Sequence, residues 1–131
     1  MEEYSALIDA AKEASKHSYS PYSDFAVGAA LLTADGKIYQ GANIENASYG
    51  ATICAERVAI TKAVYEGARE FRAIAIYANA KVPPYPCGIC LQVLSEFCGD
   101  IPVLLATEES RVSYLLSELL PHPFDDKFQS R

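Results

Sequence analysis

Phe71-Arg72-Ala73-Ile74-Ala75-Ile76-Tyr77-Ala78, Cys87-Gly88-Ile89-Cys90-Leu91-Gln92-Val93-Leu94-Ser95-Glu96-Phe97 and Ile101-Pro102-Val103-Leu104-Leu105-Ala106 follow one another along the chain and together set its topology. The outer two are apolar runs of strand length. The middle one is helical, and its apolar residues Ile89, Val93, Leu94 and Phe97 predict its inner face. Strand, helix and strand in that order call for parallel strands joined by a right-handed crossover. Upstream, 54–65 reads as a helix apolar around much of its girth, hence well buried, with Gly67 near its stop. The run 25–32 reads as a strand covered on both faces, Asp35-Gly36 as a hairpin turn and 37–44 as the return strand. Tyr4, Leu7, Ile8, Ala11 and Ala14 predict an amphipathic helix over 3–16, broken by Ser20-Pro21-Tyr22-Ser23. A short strand at 112–114 and a helix at 115–120, closed by Pro121 and Pro123, complete the pattern. The fold class is α/β: three layers, α/β/α, around a mixed, roughly five-stranded sheet. Residues 1–131 are read as a single domain.

Half of the residues are hydrophobic and the formal charge is −6. The eleven Lys and Arg are scattered rather than striped, which argues against a nucleic-acid polymer and for a small substrate. No apolar stretch approaches the ~20 residues of a membrane span, so no membrane partner is expected. The acidic start Met1-Glu2-Glu3-Tyr4 is unlike a signal peptide, and the expected location is cytoplasmic.

In that setting the four cysteines point to metal or redox chemistry rather than to structural disulfides. In Pro86-Cys87-Gly88-Ile89-Cys90 two thiols stand three apart on a first helical turn and face the same way. Cys54 also opens a helix. Both helices follow strands, so both N-termini can lie along the carboxyl edge of the sheet, where open α/β sheets hold ligands. Helix N-termini favour thiolates. Three thiolate ligands leave a zinc ion with an open fourth position, the mark of a catalytic site. Glu56, two residues past Cys54, is poorly aimed as a further ligand but well placed to move protons beside the metal. Cys98 reads as a buried apolar residue. The Cys-x-x-Cys pair taken alone also fits a redox disulfide, and a structural zinc module needs a fourth ligand that neither Cys98, His17 nor His122 is positioned to give.

Cys54-Ala55-Glu56 followed by Pro86-Cys87-Gly88-Ile89-Cys90 resembles the cytidine deaminase family, whose glutamate is the acid/base and not a ligand. The resemblance covers about residues 4–124. Tyr22-Ser23-Asp24-Phe25-Ala26-Val27-Gly28-Ala29-Ala30-Leu31 resembles the family's first-strand signature, and Asn43-Ile44-Glu45-Asn46-Ala47-Ser48-Tyr49 its ribose-binding segment. It implies zinc-dependent hydrolytic deamination of cytidine and 2'-deoxycytidine, with one Zn²⁺ per chain held by Cys54, Cys87 and Cys90. It implies that Asn43 and Glu45 bind the ribose hydroxyls, that Phe25 packs on the nucleoside, and that the Ala55 amide meets the pyrimidine carbonyl. The Tyr85 carbonyl is expected to meet the amino group. Arg57 is expected to hydrogen-bond the thiolates. The three-cysteine pattern in a short chain resembles the homotetrameric branch, in which Phe124 reaches a neighbouring subunit's site. For Phe25 a place in the strand core, and for Phe124 a place as a plain tail aromatic, fit the pattern as well. Two residues depart from the family: Leu91 stands where arginine is common and Tyr85 where serine is usual.

Overall fold

The structure, a computed structural model, describes residues 2–125. A short 3-10 turn, Glu2–Tyr4, leads into α1 (Ser5–Ser15); β1 (Val27–Thr33) and β2 (Ile38–Ala42) form a hairpin; α2 (Ala55–Tyr65), β3 (Phe71–Ala78), α3 (Gly88–Cys98), β4 (Pro102–Ala106), β5 (Arg111–Leu115) and α4 (Leu116–Leu119) follow. The five strands form one sheet in the order β2-β1-β3-β4-β5. Among these five strands β3 and β4 alone pair in parallel, the crossover predicted around α3. β1 pairs antiparallel with both β2 and β3, so β2, β3 and β4 all run the same way. Their carboxyl ends, together with the start of β1, make one edge of the sheet.

Strand side chains alternate faces, and here the alternation sorts residues by size. Ala30, Ala73, Ala75, Tyr77, Leu104 and Ala106 face α1, whose Leu7, Ile8 and Ala11 cover them. Ala29, Leu31, Ile74, Ile76, Val103 and Leu105 face α2 and α3. Both faces are therefore covered, which explains the near-continuous apolar runs and bears out the three-layer architecture.

Two glycines let the helices approach closely. A Cβ on Gly28 would lie 1.9 Å from the Ala11 carbonyl oxygen in α1. A Cβ on Gly41 would lie 2.4 Å from the Ala55 carbonyl oxygen and 2.6 Å from the Ala59 nitrogen in α2. Backbone atoms of a packed helix cannot swing aside, so Gly41→Ala should lower stability by roughly 3 kcal/mol, the upper end of overpacking costs. The urea unfolding midpoint measures this. Gly50→Ala is the control, because nothing lies within 4 Å of a Cβ there.

The structure corrects half of the predicted inner face of α3: Leu94 is in the core and Val93 packs against it as expected, but Ile89 and Phe97 do not join them. Cys90, Leu91, Leu94 and Cys98 are buried, whereas Ile89 is 61 % and Phe97 37 % exposed. Burying Leu91, Leu94 and Cys98 beneath the sheet puts Ile89 on the far side of the helix and Phe97 at the margin of the buried stripe. Leu91 joins the core under the sheet.

Candidate active site

Cys54 is the N-cap of α2 and Cys87 the N-cap of α3; neither helix has a side-chain cap. The thiols thus stand where a capping acceptor is favoured and where the helix dipole stabilises negative charge. Both N-termini lie at the carboxyl edge of the sheet, as expected. Cys90, one turn into α3, completes the group, and the three Sγ atoms all lie within 4.8 Å of one another. Cys87 and Cys90 Sγ are 3.5 Å apart, a contact between free thiols.

This donor set fits zinc. Tetrahedral Zn–S bonds of about 2.3 Å place sulfurs about 3.8 Å apart, close to the spacing present. A redox pair has no use for a third thiol converging on the same point. Arg57 supplies the positive charge that an anionic centre needs: its Nη2 lies 3.5 Å from Cys54 Sγ and 3.4 Å from the Thr52 carbonyl oxygen. Its buried Nε has no hydrogen-bond partner among the described residues. A hydrogen bond from Cys90, reinforced by Arg57, pulls Cys54 down to about 5, a thiolate at neutral pH. Cys90 is pushed the other way by its contact with Cys54 and by burial, and a bound metal displaces thiol protons. Cys98 is buried and pushed up to about 12 by that burial alone, an inert thiol as expected.

Glu56 sits in the first turn of α2 and is only 5 % exposed. Burial pushes its carboxyl up to about 7, with the Cys54 charge acting in the same direction. A carboxyl poised near neutrality is suited to take and return a proton.

These groups open on a cleft of about 280 Å³ lined by Phe25, Asn43, Glu45, Ala55, Glu56 and Tyr85, among others. Phe25 is not a strand residue. Asp24 takes a positive φ of 56° and the chain enters β1 only at Val27, which leaves Phe25 exposed on the cleft. Its other reading, a strand core residue, is thereby excluded. Glu45 is held by the turn before it: Oε1 accepts from the Tyr22 and Ser23 amides at 3.0 and 3.1 Å, and the Ser23 hydroxyl donates to Oε2. The Ser23 hydroxyl, then the amides, keep its carboxyl below the usual carboxylate range.

Asn43 is 8 % exposed and tightly constrained. Its Oδ1 accepts from the Val27 amide at 2.9 Å and the Ser18 hydroxyl at 2.5 Å, while Nδ2 donates to the Phe25 carbonyl at 2.8 Å. A backbone N–H can only donate and a carbonyl can only accept, so the amide's orientation is fixed. Both lone pairs of Oδ1 are occupied. Asn43 therefore offers the cleft a donor alone, a narrower role than the two-way bonding open to a free carboxamide.

Sequence reading missed three supports of the site. Ser23 lay inside a quoted motif without a role, and Ser18 and Gly41 carried no pattern of their own. Phe124 lies outside the cleft lining, exposed, with its backbone N–H and C=O bonded to the Gln92 side chain at 3.0 and 2.8 Å.

The family model described as "Cytidine and deoxycytidylate deaminase zinc-binding region" matches residues 1–105. The chain is 51 % identical over 116 residues to a cytidine deaminase of Sporosarcina psychrophila, covering 84 % of this chain and 85 % of that protein. It is also 51 % identical over 120 residues to a cytidine deaminase of Halalkalibacterium halodurans, covering 90 % and 91 %. A crystal structure of cytidine deaminase from Burkholderia pseudomallei superposes with a TM-score of 0.86 at 44 % identity, covering 91 % of this chain and 97 % of that one. With its three-thiol centre at the sheet edge, the chain belongs to the zinc-binding cytidine and deoxycytidylate deaminase family. Zinc is its cofactor.

Proposed function

We propose that this chain hydrolyses cytidine and 2'-deoxycytidine to uridine and 2'-deoxyuridine with release of ammonia, a step of pyrimidine salvage. One observation carries the reading: a buried carboxyl, Glu56, stands beside three converging thiols at one part of a cleft that also presents Asn43 and Glu45.

Cys54, Cys87 and Cys90 hold the zinc, one per chain, and Arg57 offsets the charge of the thiolates. Zinc so held supplies Lewis acidity and makes water nucleophilic near neutral pH. Glu56 takes the proton that water gives up as its oxygen attacks C4 of the pyrimidine, and delivers it to N3. It then passes the second proton to the departing amino group, which leaves as ammonia while the C4 carbonyl forms. The Ala55 amide, the first N–H of α2, donates to the pyrimidine carbonyl, and the Tyr85 carbonyl accepts from the amino group. Phe25 covers the nucleoside. A sugar hydroxyl accepts from Asn43 Nδ2 and donates to Glu45, a match to the fixed donor and the charged acceptor on the cleft wall. A panel of cytidine, deoxycytidine, free cytosine and an aminated nucleoside antibiotic tests the substrate class. Preference for the ribosyl pyrimidines is expected, and a stronger preference for any non-ribosyl ring would overturn the sugar role of Asn43 and Glu45.

Residues 1–131 act as one catalytic domain, and four copies assemble with Phe124 reaching a neighbouring site. The exposed Ile89, Phe97 and Phe124 support this, since they leave apolar surface to be covered. Phe124→Ala should raise KM several-fold and leave zinc content unchanged. Steady-state kinetics with metal analysis measure both, and an unaltered KM returns Phe124 to a plain tail aromatic. No helix among the described residues is long and apolar enough to cross a membrane. A cytoplasmic location goes with this reading, because a reducing compartment preserves the thiols.

A further inference from the structure

We infer that Ser18 is a positioning residue for sugar recognition, acting through Asn43; this rests on the nucleoside reading above. The Ser18 hydroxyl has one proton and three acceptors in reach: Asn43 Oδ1 at 2.5 Å, Ser20 Oγ at 3.0 Å and the Asn43 carbonyl oxygen at 3.3 Å. The shortest of these takes it. The Val27 amide already fills one lone pair of Oδ1, so Ser18 fills the second. With Nδ2 tied to the Phe25 carbonyl, a single amide proton of Asn43 is left for a ligand. Glu45, whose carboxyl is held below the usual carboxylate range, lines the same cleft as an acceptor. A hydroxyl satisfies that pair by accepting from one and donating to the other. Removing the Ser18 proton frees a lone pair on Oδ1. Asn43 then competes with Glu45 for the same hydroxyl proton, and one of the three bonds that hold the carboxamide still is lost.

The backbone around Ser18 does not depend on its hydroxyl. The Tyr19 amide donates to the Asn43 carbonyl at 3.0 Å, and the Glu45 amide donates to the Tyr19 carbonyl at 2.8 Å. Ser18 is half-buried, so alanine fits its place. Ser18→Ala should therefore fold and keep its zinc.

The test compares KM and kcat of wild type, Ser18→Ala and Ser18→Thr on cytidine and on 2',3'-dideoxycytidine, with zinc content measured alongside. Ser18→Ala should raise KM for cytidine roughly three- to tenfold, the worth of one neutral hydrogen bond. KM for the dideoxy substrate should stay unchanged, as should kcat for both, and Ser18→Thr should restore the cytidine value. Equal changes on the two substrates, or no change on either, would overturn the role of Ser18. A wild-type enzyme that does not discriminate between the two substrates would instead overturn the parent reading of Asn43 and Glu45, so the two failures are distinct.

Discussion

Glu56→Gln should keep about one zinc per chain, by the three-ligand argument, and lose nearly all turnover. Glutamine preserves the volume and planar shape of the side chain, so α2 and the thiol cluster stay in place. What it removes is the group that changes protonation. General acid–base catalysis contributes about 10²–10⁴-fold, and here one carboxyl is asked to serve twice, at N3 and at the leaving amino group. The loss should lie at or beyond the upper end of that range. Burial is the feature that prepares Glu56: at 5 % exposure its carboxyl is raised to about 7. Substantial turnover in a Glu56→Gln preparation free of host deaminase would refute the proton-carrying role.

Cys90→Ser should strip most of the zinc and abolish turnover together. The three Sγ atoms form one group within 4.8 Å, and serine is a poor soft-donor substitute that stays protonated at neutral pH. Cys90 is buried, so no solvent-borne ligand readily takes its place. Cys98→Ser is the matched control. Its thiol is also buried and ends the same helix, yet it belongs to no metal-competent group among the described residues. It should lose some stability and retain zinc and activity. Loss of zinc in both variants would mean that α3 packing, rather than ligation by Cys90, governs metal content. A redox role for Cys87 and Cys90 predicts a different outcome, in which mild oxidant and reductant toggle activity without metal loss.

The layer order and the site's location were legible because each rested on a rule with little freedom. Phe71–Ala78 and 101–106 are apolar on both faces, and a helix between them leaves parallel pairing as the economical solution. Cys54 and Cys87 open helices after strands, which sends both to the same sheet edge. The rotation of α3 was only partly legible: Leu94 and Val93 were placed inward, but Leu91 was not. Ile89 and Phe97 are as apolar as Leu91 and Leu94, and hydrophobicity alone gives two competing stripes on that helix. The packing of Leu91 and Cys98 against the core decides between them, and Leu94 belongs to both. The close approaches at Gly28 and Gly41 were also hidden, since a glycine in an apolar strand looks the same whether or not a helix presses on it. Asn43 shows a third limit. Its residue type offers both donor and acceptor, and only the positions of Val27, Phe25 and Ser18 show that the acceptor is spent. Leu91 fills core space, so among the described residues the charge recorded against the thiols comes from Arg57.

On the proposed function, zinc and the ribosyl pyrimidine meet in this one cleft. The most direct measurement follows cytidine loss by ultraviolet absorbance while zinc is quantified in the same sample, before and after chelation and on zinc readdition. Conversion to uridine is expected with about one zinc per chain at full activity, activity falling in step with zinc and recovering when zinc returns. Full turnover by metal-free protein, or a zinc-replete protein inert toward cytidine and deoxycytidine alike, would contradict it.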